Sequence, residues 1–219
     1  MTRDPAHRLL AGFPRQRLQA EQLRDAMLAV SGTLNPKSFG PPVVLPVEPW
    51  ALSALRNKNW EPTKDESEWR RRSLYLVVRR SIKLPFFDAF NGPDTIGSCA
   101  GRDRTVVPSQ ALTLLNSTDT LNRARSLAGR LWMQSKGDPS GAAAAVWLLV
   151  FNRAIREDER QGALAFLQAR ETEWQKSPPS AEALPTGVSA DVPLPGARGA
   201  AWVEWCLALL NTNEFIYVD

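Results

Sequence analysis

Two sets of side chains in this chain could do chemistry. The first is basic: Arg71-Arg72, Arg79-Arg80, and then Arg102 and Arg104. Guanidinium groups grip phosphate, sulfate or carboxylate through parallel N–H bonds. Arg72, Arg79, Arg80, Arg102 and Arg104 are therefore the candidate anion ligands. Trp50, Trp60 or Trp69 would stack on a sugar face beside them. Pairing with Asp and Glu of the same domain is the competing use of these arginines. The second set is acidic. Asp88 and Asp94, tuned by Arg102 or Arg104, could form an acid/base pair of the hydrolytic kind. In turns rich in Pro and Gly, however, Asp commonly bonds its own backbone.

Other chemistries are excluded by what the chain lacks. His7 is the only histidine, so no metal site can use two of them, and a Ser-His-Asp triad would rest on that one residue. There is no Cys-x-x-Cys-His for haem attachment. Cys99 and Cys206 are too far apart in sequence to form a redox motif and read as two buried thiols, or as one disulfide if the chain is exported. Neither phosphate-binding glycine pattern is present. The expectation is no cofactor, no metal and no haem.

The 219 residues suit one large domain or two small ones. Lys and Arg number 27 against 23 Asp and Glu, a net charge of +4, with the excess in the first half. Residues 1–110 carry 17 basic and 11 acidic side chains, and residues 111–219 carry 10 and 12. Nucleic acid is the generic partner of such a charge, but the basic residues interleave with apolar ones and no recognition motif is present. No apolar run is long enough to span a bilayer, and Met1 to Pro5 lead into no signal-peptide core.

The elements that must position these residues are mostly helices. Leu18, Ala20, Leu23, Ala26, Met27 and Val30 share one face of a helix over residues 15–31, with Gly32 as its C-terminal cap. Arg17, Glu21, Arg24 and Asp25 fall on the opposite face. Glu21, Arg24 and Asp25 read as a structural ion-pair set there. Residues 36–66 are a proline-rich connector held against the body by Trp50 and Trp60. The run Ser73 to Arg80 fits a short strand and a helix equally. Residues 83–108 are rich in turns. Pro108 opens a helix, and Ser117 caps the next, which runs through Trp132. Gln110 and Asn116 read as ties to caps or loops. Two further helices follow, over 141–156 and 157–175, the first apolar enough to be a buried core helix. Residues 176–199 read as an exposed, mobile proline-rich loop, and Ala200 to Leu210 form the last helix.

The ordered series Arg71-Arg72-Ser73-Leu74-Tyr75, Asp88 to Asp94, Cys99, Arg102, Pro108-Ser109-Gln110-Ala111-Leu112 and Leu114-Leu115-Asn116 resembles a known family. That family is the planctomycete-type C-terminal domain of unknown function, number fifteen fifty-three in its series. Phe13 to Ala26 resembles its opening helix, and Leu209 to Phe215 its closing segment. Asn91 stands where the family usually has Asp, and residues 152–159 lack the expected Gly-Arg-x-Pro turn. The resemblance implies a C-terminal portion of a large exported protein, often with a cytochrome-c-like domain, placed in the periplasm or cell envelope. It implies no catalytic residue.

The resulting expectation is a mainly α, irregular multi-helix single domain over 1–219, with one short strand or hairpin at most. Its expected role is non-catalytic binding or scaffolding, recognising an anionic polysaccharide or another domain of the same exported assembly. The alternatives are a hydrolase using Asp88 and Asp94, or a docking surface for the cytochrome-like domain.

Overall fold

The computed structural model describes residues 15–47, 52, 60–79, 82, 84–93, 97, 101–102 and 105–218. Arg80, Asp94, Cys99, Arg104 and Trp50 lie outside the described residues. Within them the chain is mainly helical, with a single two-stranded antiparallel ladder.

The first helix is shorter than its apolar periodicity suggests. Residues 16–17 form strand β1 (Gln16–Arg17), and α1 spans Ala20–Val30. The helix starts there because the Gln22 side chain accepts a bond from the Gln19 backbone N–H, 2.9 Å away, and fixes Gln19 in an extended conformation. It stops where Gly32 takes φ +73 against the Arg130 side chain, the glycine terminus its sequence suggests.

Residues 83–108 hold an element the turn signals concealed. Helix α2 (Pro85–Ala89) carries Phe86 and Phe87, and Phe86 stacks on Phe90 at 4.9 Å. Helix α3 spans Pro108–Asn116. Helix α4 spans Thr118–Ser135, its first turn closed by Ser117 Oγ accepting from Thr120 N. It ends with Lys136 at φ 52 and Gly137 at φ +81, folded against Trp132.

The run 141–156, which reads as a buried core helix, forms α5 (Pro139–Phe151). Only one face is buried, through Ala142, Ala143, Val146 and Trp147, while Leu148 is 60% exposed. It packs on α4 and α6 at the edge of the bundle, so an apolar composition does not mean a central position. It ends at Phe151 because Asn152 turns left-handed at φ 54. Helix α6 spans Glu157–Lys176.

The core is organised by α7 (Gly196–Leu210), which packs on both α4 and α6. Its first turns carry Gly199, Ala200 and Ala201, all buried, and these small residues let neighbouring chain approach closely. Its later turns contribute Trp202, Trp205, Cys206, Leu209 and Leu210. Trp202 meets Trp132 edge-on at 5.0 Å. After α8 (Asn213–Ile216), strand β2 (Tyr217–Val218) pairs with β1, joining the two ends of the described chain.

One loop expectation needs revision. Ser73–Tyr75 is a single 3-10 turn followed by extended chain, neither of the two forms that fitted the run. Leu76 then bridges Val43 in parallel, and Asn35 bridges Arg71, so the 36–66 connector is held along this segment. Residues 176–199 are largely exposed, as expected, and are tied to α4 by several hydrogen bonds. Thr186 N bonds to Arg125 O, Arg125 Nε bonds to Leu184 O at 2.7 Å, and Trp132 Nε1 bonds to Val192 O at 3.2 Å. The strap lies so close to α4 that a Cβ on Gly129 would collide with the Thr186 carbonyl.

Candidate functional site

The arginine-rich motif is built around two side chains that point inward. Arg24 sits on α1, on the face opposite the apolar stripe, yet it is only 4% exposed because the segment 69–73 covers it. Its guanidinium donates to Trp69 O (2.5 Å), Arg71 O (3.0 Å) and Ser73 Oγ (3.2 Å). Next to it, Asp25 accepts from both Ser73 N and Ser73 Oγ at 2.7 Å. One turn of α1 thus fixes the backbone of the motif. Burial lowers the Arg24 pKa, with the Asp119 charge opposing.

Arg71 is fully buried. It donates to three main-chain oxygens of one loop: Lys37 O at 3.2 Å, Phe39 O at 2.6 Å and Pro41 O at 3.3 Å. It also donates to Glu68 Oε2 at 3.0 Å and lies 3.9 Å from the centre of the Tyr75 ring. The planar fork of donors suits this arrangement, which a lysine could not copy. Hydrogen bonds from Lys37 and then Arg71 hold the Glu68 carboxyl below the usual carboxylate range, with burial opposing.

The residues singled out from sequence fall into distinct environments. Arg72 keeps a side chain 64% exposed, its Nε 3.7 Å from Asp25 Oδ2. Arg79 is exposed and lies 5.2 Å from the centre of the Trp60 ring. Arg102 is half-buried and paired within the chain, its Nη1 and Nη2 clasping Glu21 at 2.6 and 3.1 Å. Arg80 and Arg104 lie outside the described residues. Trp69 is half-buried, its Nε1 bonded to Thr63 O at 2.8 Å. Trp60 is 6% exposed and bonds Leu45 O, which removes it as a sugar platform.

Asp88 is exposed on α2 and, with Glu21, borders a recess of about 40 Å³ lined by Val78, Ile82 and Leu84, space for about one water. Asp94 is outside the described residues, so the acid pair stays an expectation. Among the described residues no three His, Cys, Asp or Glu side chains gather as metal ligands. Gln110 acts as the loop tie its position suggested, donating to Ala89 O at 3.0 Å and accepting from Arg17.

The ion-pair set expected within α1 is also rearranged. Arg17 is in β1 and cannot sit one turn before Glu21. Glu21, Arg24 and Asp25 take their close partners from other segments, with Arg24 and Asp25 only 3.7 Å apart as a secondary contact. Arg24 and Arg71, the most buried cations, were missed as organising residues. The available signal was two distant polar motifs of complementary type, Arg24-Asp25 in α1 and Arg71-Arg72-Ser73, whose side chains can pair across a junction.

With this geometry in place, comparison adds one result. No curated protein and no solved structure matches the chain. A family model described as PSD1, Protein of unknown function (DUF1553), matches residues 1–167, and the chain belongs to that family.

Proposed function

We propose that this chain is a non-catalytic binding or scaffolding domain of a bacterial cell-envelope protein, and that its basic face engages an anionic glycan or an acidic surface of a partner domain. The observation that carries the reading is the division of labour among consecutive arginines. Arg71 is buried and rigid, whereas Arg70 and Arg72 on either side are exposed. Their backbone is pinned by Arg24 and Asp25. Side chains projecting from a fixed backbone lose less freedom on binding than side chains on a mobile loop. Lys64 and Arg79 are exposed on the same 60–79 segment, which also exposes Glu61, Asp65 and Glu66. The planctomycete-type and cytochrome-linked setting belongs to this proposal, as does a position in the periplasm or envelope.

The test is retention of the purified chain on an array of sulfated and uronic-acid glycans at two salt concentrations. Exposed charge pairs weaken as salt rises, so binding is expected at low salt and lost at high salt. An Arg70→Gln/Arg72→Gln double variant is expected to lose several-fold in retention without a change in thermal stability. Salt-independent binding, or equal retention of the double variant, refutes the proposal.

A further inference from the structure

Helix α2 ends in a turn whose two residues carry a reaction of their own. Asn91-Gly92 is the only Asn-Gly pair in the chain. Asn91 takes φ +55 just past the last turn of α2, and two crossed main-chain bonds close the helix end. Asn91 N donates to Asp88 O at 3.3 Å, and Gly92 N donates to Phe87 O at 2.6 Å. This pattern asks for a residue that tolerates a left-handed backbone, which asparagine does. It also asks for no side chain at the next position, because a Cβ on Gly92 would lie 2.8 Å from the Phe87 carbonyl oxygen. The stereochemistry of the helix end therefore selects a reactive dipeptide. The backbone nitrogen after an asparagine can attack its side-chain amide, and glycine puts no side chain in the way.

We propose that Asn91 is a deamidation site gated by this helix end. In the reaction the Gly92 nitrogen gives its proton to hydroxide and bonds to Asn91 Cγ. The Cγ–Nδ2 bond breaks, and the amide nitrogen takes a proton from water and leaves as ammonia. Water then opens the five-membered imide at either carbonyl, leaving aspartate or isoaspartate at position 91. In the closed turn both reacting groups are held back. The Gly92 N–H is committed to Phe87 O, and Asn91 Nδ2 donates to Thr105 Oγ1 at 2.8 Å. Phe90, buried and stacked on Phe86, keeps the turn seated on the body. Conversion thus requires local opening, and since the lost ammonia does not return, it accumulates with every opening. Its products alter the same contacts. A carboxylate has no N–H for Thr105, so the threonine hydroxyl must donate instead. Arg17 already donates to Thr105 O, so the new negative charge arises close to a cation. Isoaspartate also lengthens the main chain by one methylene, which puts the crossed bonds of the helix end out of register.

The full chain is incubated in mildly alkaline buffer, folded and in urea. The peptide carrying residue 91 is then followed by mass spectrometry after digestion at acidic pH. In urea, Asn91 is expected to convert faster than every other asparagine of the chain. In the folded chain its conversion is expected to be slower by about tenfold or more, which corresponds to an opening free energy of about 1.4 kcal/mol or above. Thr105→Val removes the tie to the Asn91 amide and keeps the main-chain carbonyl that Arg17 uses. This variant is expected to convert several-fold faster than the natural chain when folded, and at the same rate in urea. Its urea midpoint, expected to match that of the natural chain, separates a loosened turn from a loosened fold. Equal rates in the folded chain and in urea, a folded-state rate unmoved by Thr105→Val, or conversion in urea no faster at Asn91 than at the other asparagines overturns the proposal.

Discussion

Replacing Arg71 tests the central physical claim, that a buried cation shapes the surface above it. Arg71→Met retains much of the volume and removes the guanidinium. The loss falls on the carbonyls of Lys37, Phe39 and Pro41, on the stacking contact with Tyr75 and on Glu68, which keeps its bond from Lys37. Hydrogen bonds to a charged group contribute about 1.5–3 kcal/mol each. Three bonds from one side chain are not independent, and a freed loop regains water for some of its oxygens. The expected destabilisation is therefore about 4 kcal/mol, below the simple sum of three such bonds. With a slope of about 2 kcal/mol/M, the urea midpoint falls by about 2 M. Arg71→Lys keeps the charge and loses the fork, and its midpoint is expected to fall roughly half as far. A local signature accompanies the global one: amide exchange at Phe39 accelerates, while the Trp202 and Cys206 amides of α7 follow global stability alone. A midpoint shift below about 0.5 M for Arg71→Met would refute the claim that the guanidinium holds this loop.

Three other perturbations check separate parts of the structure. Gly129→Ala places a Cβ against the Thr186 carbonyl, so α4 and the 176–199 strap must separate; a loss of about 2 kcal/mol and faster proteolysis within the strap are expected. Cys206 is fully buried and its thiol pKa is raised by that burial, so in a Cys99→Ser background it is expected to resist alkylation in native protein and react on unfolding. Glu159 bonds Arg153 at 2.6 and 2.8 Å, and Arg153 also holds Glu214 of α8, so this arginine clamps the α5–α6 loop to the C-terminal segment. Arg153 first, with the Arg156 amide adding, lowers the Glu159 pKa to about 2 from 4.5. Being lower in the folded state, it contributes stability that is fully present above pH 4.5 and lost as pH falls toward 2. Glu159→Gln is expected to flatten the dependence of Tm on pH across that window; an unchanged profile refutes the clamp.

Much of the helical framework was legible from local signals. Ser117 before an apolar repeat, Pro108 at a first turn and Gly32 after one each mark a boundary by stereochemistry that needs no tertiary partner. What failed depended on distant chain. Gln16 and Arg17 look helical by spacing but are drawn into a ladder by Tyr217 and Val218. The apolar run of α5 says that the helix is hydrophobic, not which side of it is covered. The prolines of 176–199 predict an exposed loop, but not its ties to α4, because those are made by Arg125, Gly129 and Trp132 far away in sequence. The basic cluster is the clearest case. Composition groups Arg70, Arg71 and Arg72 together, yet the middle one is buried while its neighbours remain exposed, a difference set by where α1 and the 36–42 loop close over the chain.

That difference bears on how such a domain could evolve a binding surface. If the buried and exposed arginines were interchangeable, loss of any one would weaken both stability and binding. The geometry separates them. Arg24 and Arg71 satisfy main-chain oxygens that have few other donors in reach, so substitution there acts through the fold. Arg70 and Arg72 stand outside that network of main-chain contacts, with Arg72 only loosely paired to Asp25, and can change with little effect on stability. Phe39 occupies a third category, held in a strained conformation by Arg71 while its ring touches little. Stability and binding therefore separate under measurement: urea unfolding reports on Arg71, and salt-dependent glycan retention on Arg70 and Arg72. A result in which both readouts moved together on substitution of Arg72 alone would mean that the exposed arginine is part of the junction after all.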